Sequence, residues 1–324
     1  MRTTHRPAVP ALLAATLLTV AACSGDDDDA SGESSTDENG LTPVTISTQP
    51  IVDSAPLYLG VDQGFYEEEG IDLTIENASG GAAVIPSVVS GEHQFGRGNL
   101  LSTMIARDQG LDLECIANAN SAQGVPDFSA ILTAPDSGIE SPADLEGHTV
   151  SINNLNNIGE AIIRTAIERD GGDPSLVDFV ELGFAEVPQA IESGQIEAGW
   201  AVEPFVTEAL DLGQVAISWP FYEFHEDLDV SCVFTSGQVL EEDPELVAAF
   251  QRATDRALEF ADENPDEVRR ITGTYTEIDE SVLERMVLPR FTPEMSREAA
   301  EFLAEKALEY GMLTNEPDLD ALLP

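Results

Sequence analysis

Apolar and polar positions alternate along the chain with two different periods, and segments of the two kinds follow one another. Val44–Ser47 and Ile71–Glu76 alternate residue by residue, which predicts strands. Between them, Ser54 precedes a stretch with helical spacing that has a proline at position 56 and a glycine at position 64, as at the start and the end of a helix. Strands that alternate with helices predict an α/β protein with mainly parallel sheets.

Other helices are marked by their ends. A helix is predicted over Ala82–Ser90, and Pro86 within it favours a late start or a bend. Asn157, with Glu160 three residues later, forms a capping-box pattern before another helix. From residue 244 onward the pattern is helical. The predicted helices of this tail are Pro244–Glu263, Pro265–Tyr275, Asp279–Val287 and Ser296–Tyr310.

The first residues carry a targeting signal. Arg2 and Arg6 precede an apolar run, Ala8–Ala22, that is too short and too rich in alanine to span a membrane. The letters V-A-A before Cys23 resemble a bacterial lipobox, in which the cysteine receives a lipid and becomes the new N-terminus. The alternative is an ordinary signal peptide followed by a chance cysteine. We predict a signal peptide over 1–22 and lipidation at Cys23.

An acidic linker follows the predicted lipidation site. Residues 23–40 are rich in Asp, Ser, Glu and Gly and hold almost no apolar side chain, so they have nothing to pack into a core. A lipid on Cys23 together with such a linker anchors a protein to a membrane without spanning it. The predicted location is therefore extracytoplasmic and lipid-anchored to the cell membrane.

The charge of the chain is strongly negative. It holds 14 Lys and Arg against 61 Asp and Glu, for a net charge of −47, and Lys306 is its one lysine. Because binding to phosphates requires a basic face, this balance argues against a nucleic-acid partner and against an anionic membrane surface. A highly acidic surface stays soluble where salt screens its self-repulsion, so we expect a saline habitat.

Two cysteines remain besides Cys23. Cys115 and Cys232 form an even pair in a chain predicted to lie outside the cell, where a disulfide is permitted. A bridge between them would stabilise the fold by ~4–5 kcal/mol in the chain-entropy description, less any strain. Two separate buried thiols are the alternative.

Three ordered stretches carry a family resemblance. Ala55–Leu73 reads A-P-L-Y-L-G-V-D-Q-G-F-Y-E-E-E-G-I-D-L, Ile139–Val150 reads I-E-S-P-A-D-L-E-G-H-T-V, and Gly194–Phe205 reads G-Q-I-E-A-G-W-A-V-E-P-F. Together they resemble the nitrate/sulfonate/taurine binding-protein family, which also contains binding proteins for pyrimidine precursors of thiamine. The similarity runs from about residue 45 to residue 289.

The resemblance implies an α/β fold of the type II periplasmic-binding-protein kind, with two α/β lobes joined by two hinge-crossing strands and a helical C-terminal tail packed onto the first lobe. We place the crossings near Ser129–Thr133 and Cys232–Thr235. Lobe 1 is then expected over 41–130 and 230–324, and lobe 2 over 131–229. A monomer is expected.

Ligands of open α/β sheets collect beyond the carboxyl ends of the strands, where helix N-termini and loops meet. Four loops before residue 160 meet this description and carry polar or glycine residues. Further candidates lie later in lobe 2. The predicted ligand-binding residues are Thr48, Gln49, Gly80, Gly81, Ala82, Asn99, Asn153, Asn154, Asn156, Phe184, Glu203 and Phe205.

Several of these residues have a second interpretation. Asn156 and Asn157 can instead turn and cap the following helix. Glu203 can accept from a ligand N–H or hold the next helix N-terminus in place. Arg97 is the one arginine expected near the cleft, and a surface position is its alternative. Aromatic walls are expected from Phe184, Trp200, Phe205 and Tyr222, for which a core position is the alternative.

Catalytic patterns are missing from the sequence. The histidines, His5, His93, His148 and His225, have no partner at metal-ligand spacing. The chain has no G-x-S-x-G elbow, no G-x4-G-K loop, and none of the clustered cysteines of the pyrimidine-synthesising relatives of this family. We expect no catalysis, no metal and no cofactor.

The predicted function is capture of a small solute of the nitrate, sulfonate or taurine type for an ABC importer. The solute would bridge lobe 1 to the asparagines of lobe 2, and the closed protein would dock on a permease driven by ATPase subunits. A pyrimidine or an aromatic carboxylate is the alternative ligand. A pyrimidine-synthesising enzyme of the same fold is the remote alternative.

Overall fold

The computed structural model describes residues 40–324. The predicted signal peptide, the lipidation site Cys23 and the predicted linker up to residue 39 lie outside this range. Within the range, no helix is long and apolar enough to cross a membrane.

The first of two five-stranded sheets is built from both ends of the described chain. Its strands are β1 (Thr42–Thr48), β2 (Ile71–Asn77), β3 (Phe95–Asn99), β4 (Leu113–Ser121) and β10 (Asp229–Ser236). Their order is β2-β1-β3-β10-β4. The first three pair in parallel, and β10 is antiparallel to both of its neighbours. We call the part of the protein around this sheet lobe 1.

The second sheet repeats this design with the middle of the chain. Its strands are β5 (Ser129–Thr133), β6 (Thr149–Ile152), β7 (Asp178–Glu181), β8 (Ala198–Val202) and β9 (Val215–Ser218). Their order is β7-β6-β8-β5-β9, with β6 parallel to β7 and β8, and with β5 antiparallel to β8 and β9. Each sheet therefore has one antiparallel strand, in the same place. We call the part around this sheet lobe 2.

The chain passes between the sheets twice. It leaves the first sheet at Ser121 and enters the second at Ser129, and it returns between Ser218 and Asp229. The lobe limits expected from the sequence, at 130/131 and 229/230, fall within the antiparallel strands β5 and β10. In each sheet, the antiparallel strand is the first strand that the chain forms after it crosses from the other sheet.

Helices cover the sheets and begin close to where the sequence predicts them. Helix α3 begins at Gly81 and contains Pro86, and the side chain of Asn157 caps α5 by accepting from the Glu160 N–H. The helices are α1 (Ala55–Asp62), α2 (Phe65–Glu68), α3 (Gly81–Val89), α4 (Leu100–Asp108), α5 (Ile158–Arg169), α6 (Val187–Glu192), α7 (Phe205–Asp211), α8 (Pro220–Phe224), α9 (Gly237–Glu242), α10 (Pro244–Glu263), α11 (Pro265–Tyr275), α12 (Glu280–Leu283), α13 (Arg297–Glu309) and α14 (Leu319–Leu322).

The C-terminal tail packs more widely than the sequence predicts. We expected it on lobe 1 alone, and α13 does contact α4 of that lobe, but it also contacts α5 of lobe 2. Lys306 Nζ lies 3.3 Å from Glu168 Oε2, and the Tyr310 hydroxyl lies 2.7 Å from the same oxygen. Glu168 lies 138 positions before Lys306 and 142 before Tyr310, so this partner is set by the tertiary structure.

A disulfide joins two neighbouring strands of the first sheet. Cys115 on β4 and Cys232 on β10 are both fully buried, and their Cα atoms are 5.8 Å apart. The bridge connects residues separated by 117 positions, so it ties the strand that leaves lobe 1 to the strand that returns to it.

Candidate functional site

A buried cavity lies between the two lobes. It is bordered by the loops that follow β1, β3 and β6, where polar groups collect at the carboxyl ends of parallel strands. From lobe 1 its lining includes Gln49, Asp53, Arg97, Asn99 and Ser231. From lobe 2 its lining includes Asn153, Asn157, Phe184, Trp200 and Phe221. One lobe thus supplies mainly polar groups, and the other supplies most of the rings.

The cavity is small in this conformation. Its volume is about 20 Å³, which is room for about one water molecule. The lobes touch directly beside it: a Cβ atom added at Gly80 would lie 2.0 Å from Asn154 Oδ1. The backbone N–H of Val52 also donates to the carbonyl oxygen of Glu203 across the lobes, at 3.2 Å. The structure is therefore a closed form.

An ion pair occupies the lobe 1 side of the cavity. Arg97, on β3, is 2 % exposed, and its Nη2 donates to Asp53 Oδ2 and to Ser231 Oγ, each at 2.7 Å. Asp53 lies in a short 3₁₀ turn, Val52–Ser54, between β1 and α1. Burial raises the pKa of the Asp53 carboxyl, while the positive charge of Arg97 and the nearby Asn120 amide act to lower it. The two buried charges compensate each other.

Some buried polar atoms of the lining have no partner within hydrogen-bond distance. They include one acceptor, Asp53 Oδ1, and two donors, Arg97 Nε and Trp200 Nε1. All three side chains are at most 3 % exposed. A buried polar atom without a partner loses about 1–3 kcal/mol of interaction with water, so these atoms mark where a ligand can bind.

Trp200 forms the centre of an aromatic wall. Its ring meets Phe184 edge-on with centroids 5.0 Å apart, and Phe221 edge-on at 5.6 Å. Gly159, in the first turn of α5, leaves room for the indole, because a Cβ atom there would lie 2.4 Å from the ring. The indole is thus held by its neighbours, with its N–H free of any protein partner.

Four of the predicted binding residues line the cavity. Gln49 and Asn99 do so from lobe 1, and Asn153 and Phe184 do so from lobe 2. The polar ones also have structural bonds: Asn99 Oδ1 accepts from the Ser102 N–H, Gln49 Nε2 donates to the Ser79 carbonyl, and Asn153 Oδ1 accepts from Asn157 Nδ2. Each of these amides keeps a further polar group that a ligand could use.

Other predicted residues do not line the cavity. Gly80 and Asn154 make the direct contact between the lobes, and Gly81 begins α3, with Ala82 after it. Thr48 is buried and shares a hydrogen bond of 2.7 Å with Ser54. Asn156 is exposed and has a left-handed φ of 51°, so it fits the turn interpretation.

The structure shows Glu203 in the second of its two interpretations. Its oxygens accept from the Thr207 N–H at 3.0 Å, from the Thr207 hydroxyl at 2.8 Å and from the Val287 N–H at 3.0 Å. Glu203 therefore holds the start of α7 and ties lobe 2 to the C-terminal segment. Phe205 packs against the apolar core of lobe 2 and does not line the cavity.

The sequence did not single out the ion pair. Asp53 stands one residue before the predicted helix cap Ser54, and nothing local distinguishes it among 61 acidic residues. The sequence also allows a surface position for Arg97 and a core position for Trp200, and both residues are buried and line the cavity. Phe221 and Ser231 had no signal at all, because they reach the site only through the return of the chain to lobe 1.

Two curated relatives share part of the chain. The formylaminopyrimidine-binding protein of Halalkalibacterium halodurans is 25% identical over 223 residues, which are 67% of this chain and 65% of that protein. The 4-amino-5-hydroxymethyl-2-methylpyrimidine phosphate synthase of Legionella pneumophila is 25% identical over 218 residues, 65% of this chain and 66% of that protein. The chain thus spans less than two thirds of the length of each.

Solved structures show the fold at low sequence identity. The periplasmic nitrate-binding protein of Synechocystis superposes with a TM-score of 0.77 at 13% identity, covering 87% of this chain and 86% of that one. The alkanesulfonate-binding protein of Xanthomonas axonopodis, bound to MOPS, gives 0.74 at 15%, covering 87% and 98%. The ligand-binding component of an ABC-type import system of Staphylococcus aureus gives 0.75 at 13%, covering 87% and 96%. The predicted periplasmic-binding-protein fold is confirmed.

The family assignment follows from the sequence as well. The profile of the family described as "NMT1/THI5 like" matches residues 51–268, about two thirds of the chain. This range includes all three stretches that carry the resemblance, the Asp53–Arg97 pair and both crossings between the sheets. The chain belongs to the NMT1/THI5-like family.

Proposed function

We propose that this protein is the extracytoplasmic solute-binding component of an ABC importer. It captures a small solute in the cavity between its lobes and delivers it to a membrane permease, and a lipid on Cys23 anchors it. The observation that carries this proposal is the buried cavity, where both lobes contribute polar atoms that have no protein partner. Proteins named as binding proteins for nitrate and alkanesulfonate share this fold, and a solute of the nitrate, sulfonate or taurine class is the first candidate.

The closed form requires an opening step. A cavity of about 20 Å³ does not admit even a small organic solute, so the lobes must separate for entry. Groups that join the lobes beside the cavity include the Val52–Glu203 backbone bond and the Gly80–Asn154 contact. A solute that binds between the separated lobes adds bonds to both and shifts the population toward a closed form whose cavity is large enough to hold it, which a permease can recognise.

We infer that the protein releases its solute without changing it chemically. Among the described residues, the cavity lining contains neither a histidine nor a free cysteine: Cys115 and Cys232 form the disulfide, and His93, His148 and His225 lie elsewhere. The relative named as a pyrimidine phosphate synthase makes catalysis the rival function. Incubation with each bound solute, followed by mass spectrometry, distinguishes the two: a solute recovered intact supports binding alone, and accumulation of a product contradicts it.

Binding itself is tested with the full chain in high salt. The solutes are taurine, alkanesulfonates, nitrate, aromatic carboxylates and aminopyrimidines. A ligand at one hundred times its Kd adds ~2.7 kcal/mol to the free energy of unfolding, which raises the Tm by roughly 4 °C for a protein of this size. Trp200 fluorescence reports entry into the cavity, and Trp219→Phe leaves Trp200 as the one tryptophan. Absence of any shift, with no co-purified solute, contradicts the proposal.

A further inference from the structure

The charges in the cavity place a limit on which solute fits. Asp53 and Arg97 are both buried and paired at 2.7 Å, so this side of the cavity carries no net charge. The Arg97 Nη2 is occupied by Asp53 and Ser231. A simple anion would therefore find the arginine engaged and a carboxylate beside it. An anion placed beside the Asp53 carboxylate in this buried site would be repelled strongly by its negative charge.

The atoms without partners show what would fit instead. Asp53 Oδ1 needs a donor, whereas Arg97 Nε and Trp200 Nε1 need acceptors. A solute with only acceptors leaves Asp53 Oδ1 unsatisfied in a dry site, and a solute with only donors leaves the arginine and the indole unsatisfied. Specificity in buried sites comes mainly from this penalty on unpaired groups.

We infer that the cavity selects a solute that carries both an N–H donor and an acceptor, and that Asp53 accepts the hydrogen bond from the donor. Amino-sulfonates and aminopyrimidines share this chemistry, while nitrate and plain alkanesulfonates lack the donor. The selectivity presupposes that the cavity takes a solute, as proposed above. Asp53 then acts as the specificity-determining residue, and Arg97 both balances its charge and offers Nε to the acceptor.

Two matched pairs of compounds test the donor requirement by titration calorimetry on the full chain. The first pair is taurine and ethanesulfonate, and the second is 4-amino-2-methylpyrimidine and 2,4-dimethylpyrimidine. In each pair the members differ by the amino group. We expect at least one aminated compound to bind, about tenfold or more tightly than its partner. The pair that binds identifies the acceptor as a sulfonate or as a ring nitrogen.

Asp53→Asn tests the residue. It removes the charge that repels anions and leaves Arg97 unneutralised, so ethanesulfonate and nitrate should gain affinity while the aminated compound loses about tenfold. Asp72→Asn, on the exposed face of β2, is the matched control and should keep the wild-type ratio within each pair. Circular dichroism and the Tm verify that both variants fold.

The outcomes separate the inference from the proposed function. Ethanesulfonate or nitrate binding the wild type as tightly as taurine would overturn the inference alone, as would a co-purified solute without an N–H donor. A folded Asp53→Asn that keeps the wild-type ratio would also overturn it. If that variant does not fold, titration of the two matched pairs of compounds against the wild type still tests the donor requirement. If none of the four compounds binds and the denatured protein releases no solute, the proposed function itself is overturned.

Discussion

At the residue scale, the molecule depends most on one buried ion pair. Asp53 and Arg97 are separated by 44 positions, and each is at most 3 % exposed. A buried pair is often no more stable than apolar residues of the same shape, yet loss of one partner is strongly destabilising, because the other charge stays buried. A pair of this kind in a cavity that also holds unpartnered polar atoms is better explained by ligand recognition than by stability.

Arg97→Ala is therefore expected to lower the free energy of unfolding by about 3–5 kcal/mol, because it leaves Asp53 buried without its counter-charge. Urea denaturation measures the change. Adding Asp53→Asn to this variant should restore part of the loss. The control is Arg252→Ala: Arg252 pairs with Glu69 at an exposed position, so its loss should change stability by less than about 1 kcal/mol. Equal effects of the two alanine variants would contradict the prediction.

At the element scale, the junction after β8 joins three parts of the fold. Glu203 accepts hydrogen bonds from the first turn of α7 and from Val287 of the C-terminal segment, and its own carbonyl oxygen accepts from Val52. The C-terminal helix α13 makes a second connection, through Lys306 and Tyr310 to Glu168 of α5. The closed form is thus held by backbone and side-chain bonds near the ends of elements, which a hydrophobic pattern does not reveal.

The junction should make stability depend on pH. Burial raises the pKa of Glu203 to about 7, although its donors and the positive charge of Arg285 act in the opposite direction. Because this pKa lies above the ordinary value of 4.5, the group's contribution to stability is fully present below about pH 4.5 and is lost as the pH rises through about 7. Glu203→Gln cannot ionise and lacks this change.

We expect the free energy of unfolding of the wild type, relative to Glu203→Gln, to fall by about 1–3 kcal/mol between pH 5 and pH 8. Urea titrations at several pH values measure it, and the comparison cancels the titration of the other acids. Glu92→Gln, at an exposed position, should follow the wild type at every pH. Parallel curves for the wild type and Glu203→Gln would show that Glu203 titrates normally.

At the scale of the whole molecule, the dominant property is the net charge of −47. Arg97, the cationic side chain that lines the cavity in the described part of the chain, is neutralised there, and many other cations pair with surface acids. In the part of the chain that the structure describes, most acidic side chains are at least partly exposed. Their mutual repulsion opposes the compact state. Salt reduces this repulsion, since the screening length falls from about 10 Å at 0.1 M to about 3 Å at 1 M.

The Tm is accordingly expected to rise as NaCl increases from 0.1 M to 1 M, with most of the rise at the lower concentrations, where the screening length changes most. Differential scanning calorimetry measures it. Sucrose at matched osmolality is the control, because it is excluded from the protein surface without screening charge. A Tm that stays constant in NaCl, or that rises equally in sucrose, would show that charge repulsion does not limit stability.

Features that depend on neighbours along the chain can largely be predicted from the sequence. The alternation in β1 and β2, the cap at Asn157 and the proline-started tail helices are local signals, because strand and helix periods and caps involve residues at most four positions apart. The fold class came from the family resemblance of three ordered stretches of the sequence. Loop positions after strands pointed to the edge where Gln49 and Asn99 line the cavity.

Contacts between side chains that are distant in sequence depend on the tertiary fold. Arg97 reaches Asp53 across 44 positions and Ser231 across 134, and Glu203 reaches Val287 across 84. In a chain with 61 acids, no local mark tells the buried carboxylates from the solvated ones. Burial, charge compensation and the unpartnered atoms that point to a ligand are properties of distant residues brought together, so they arise only in the folded protein.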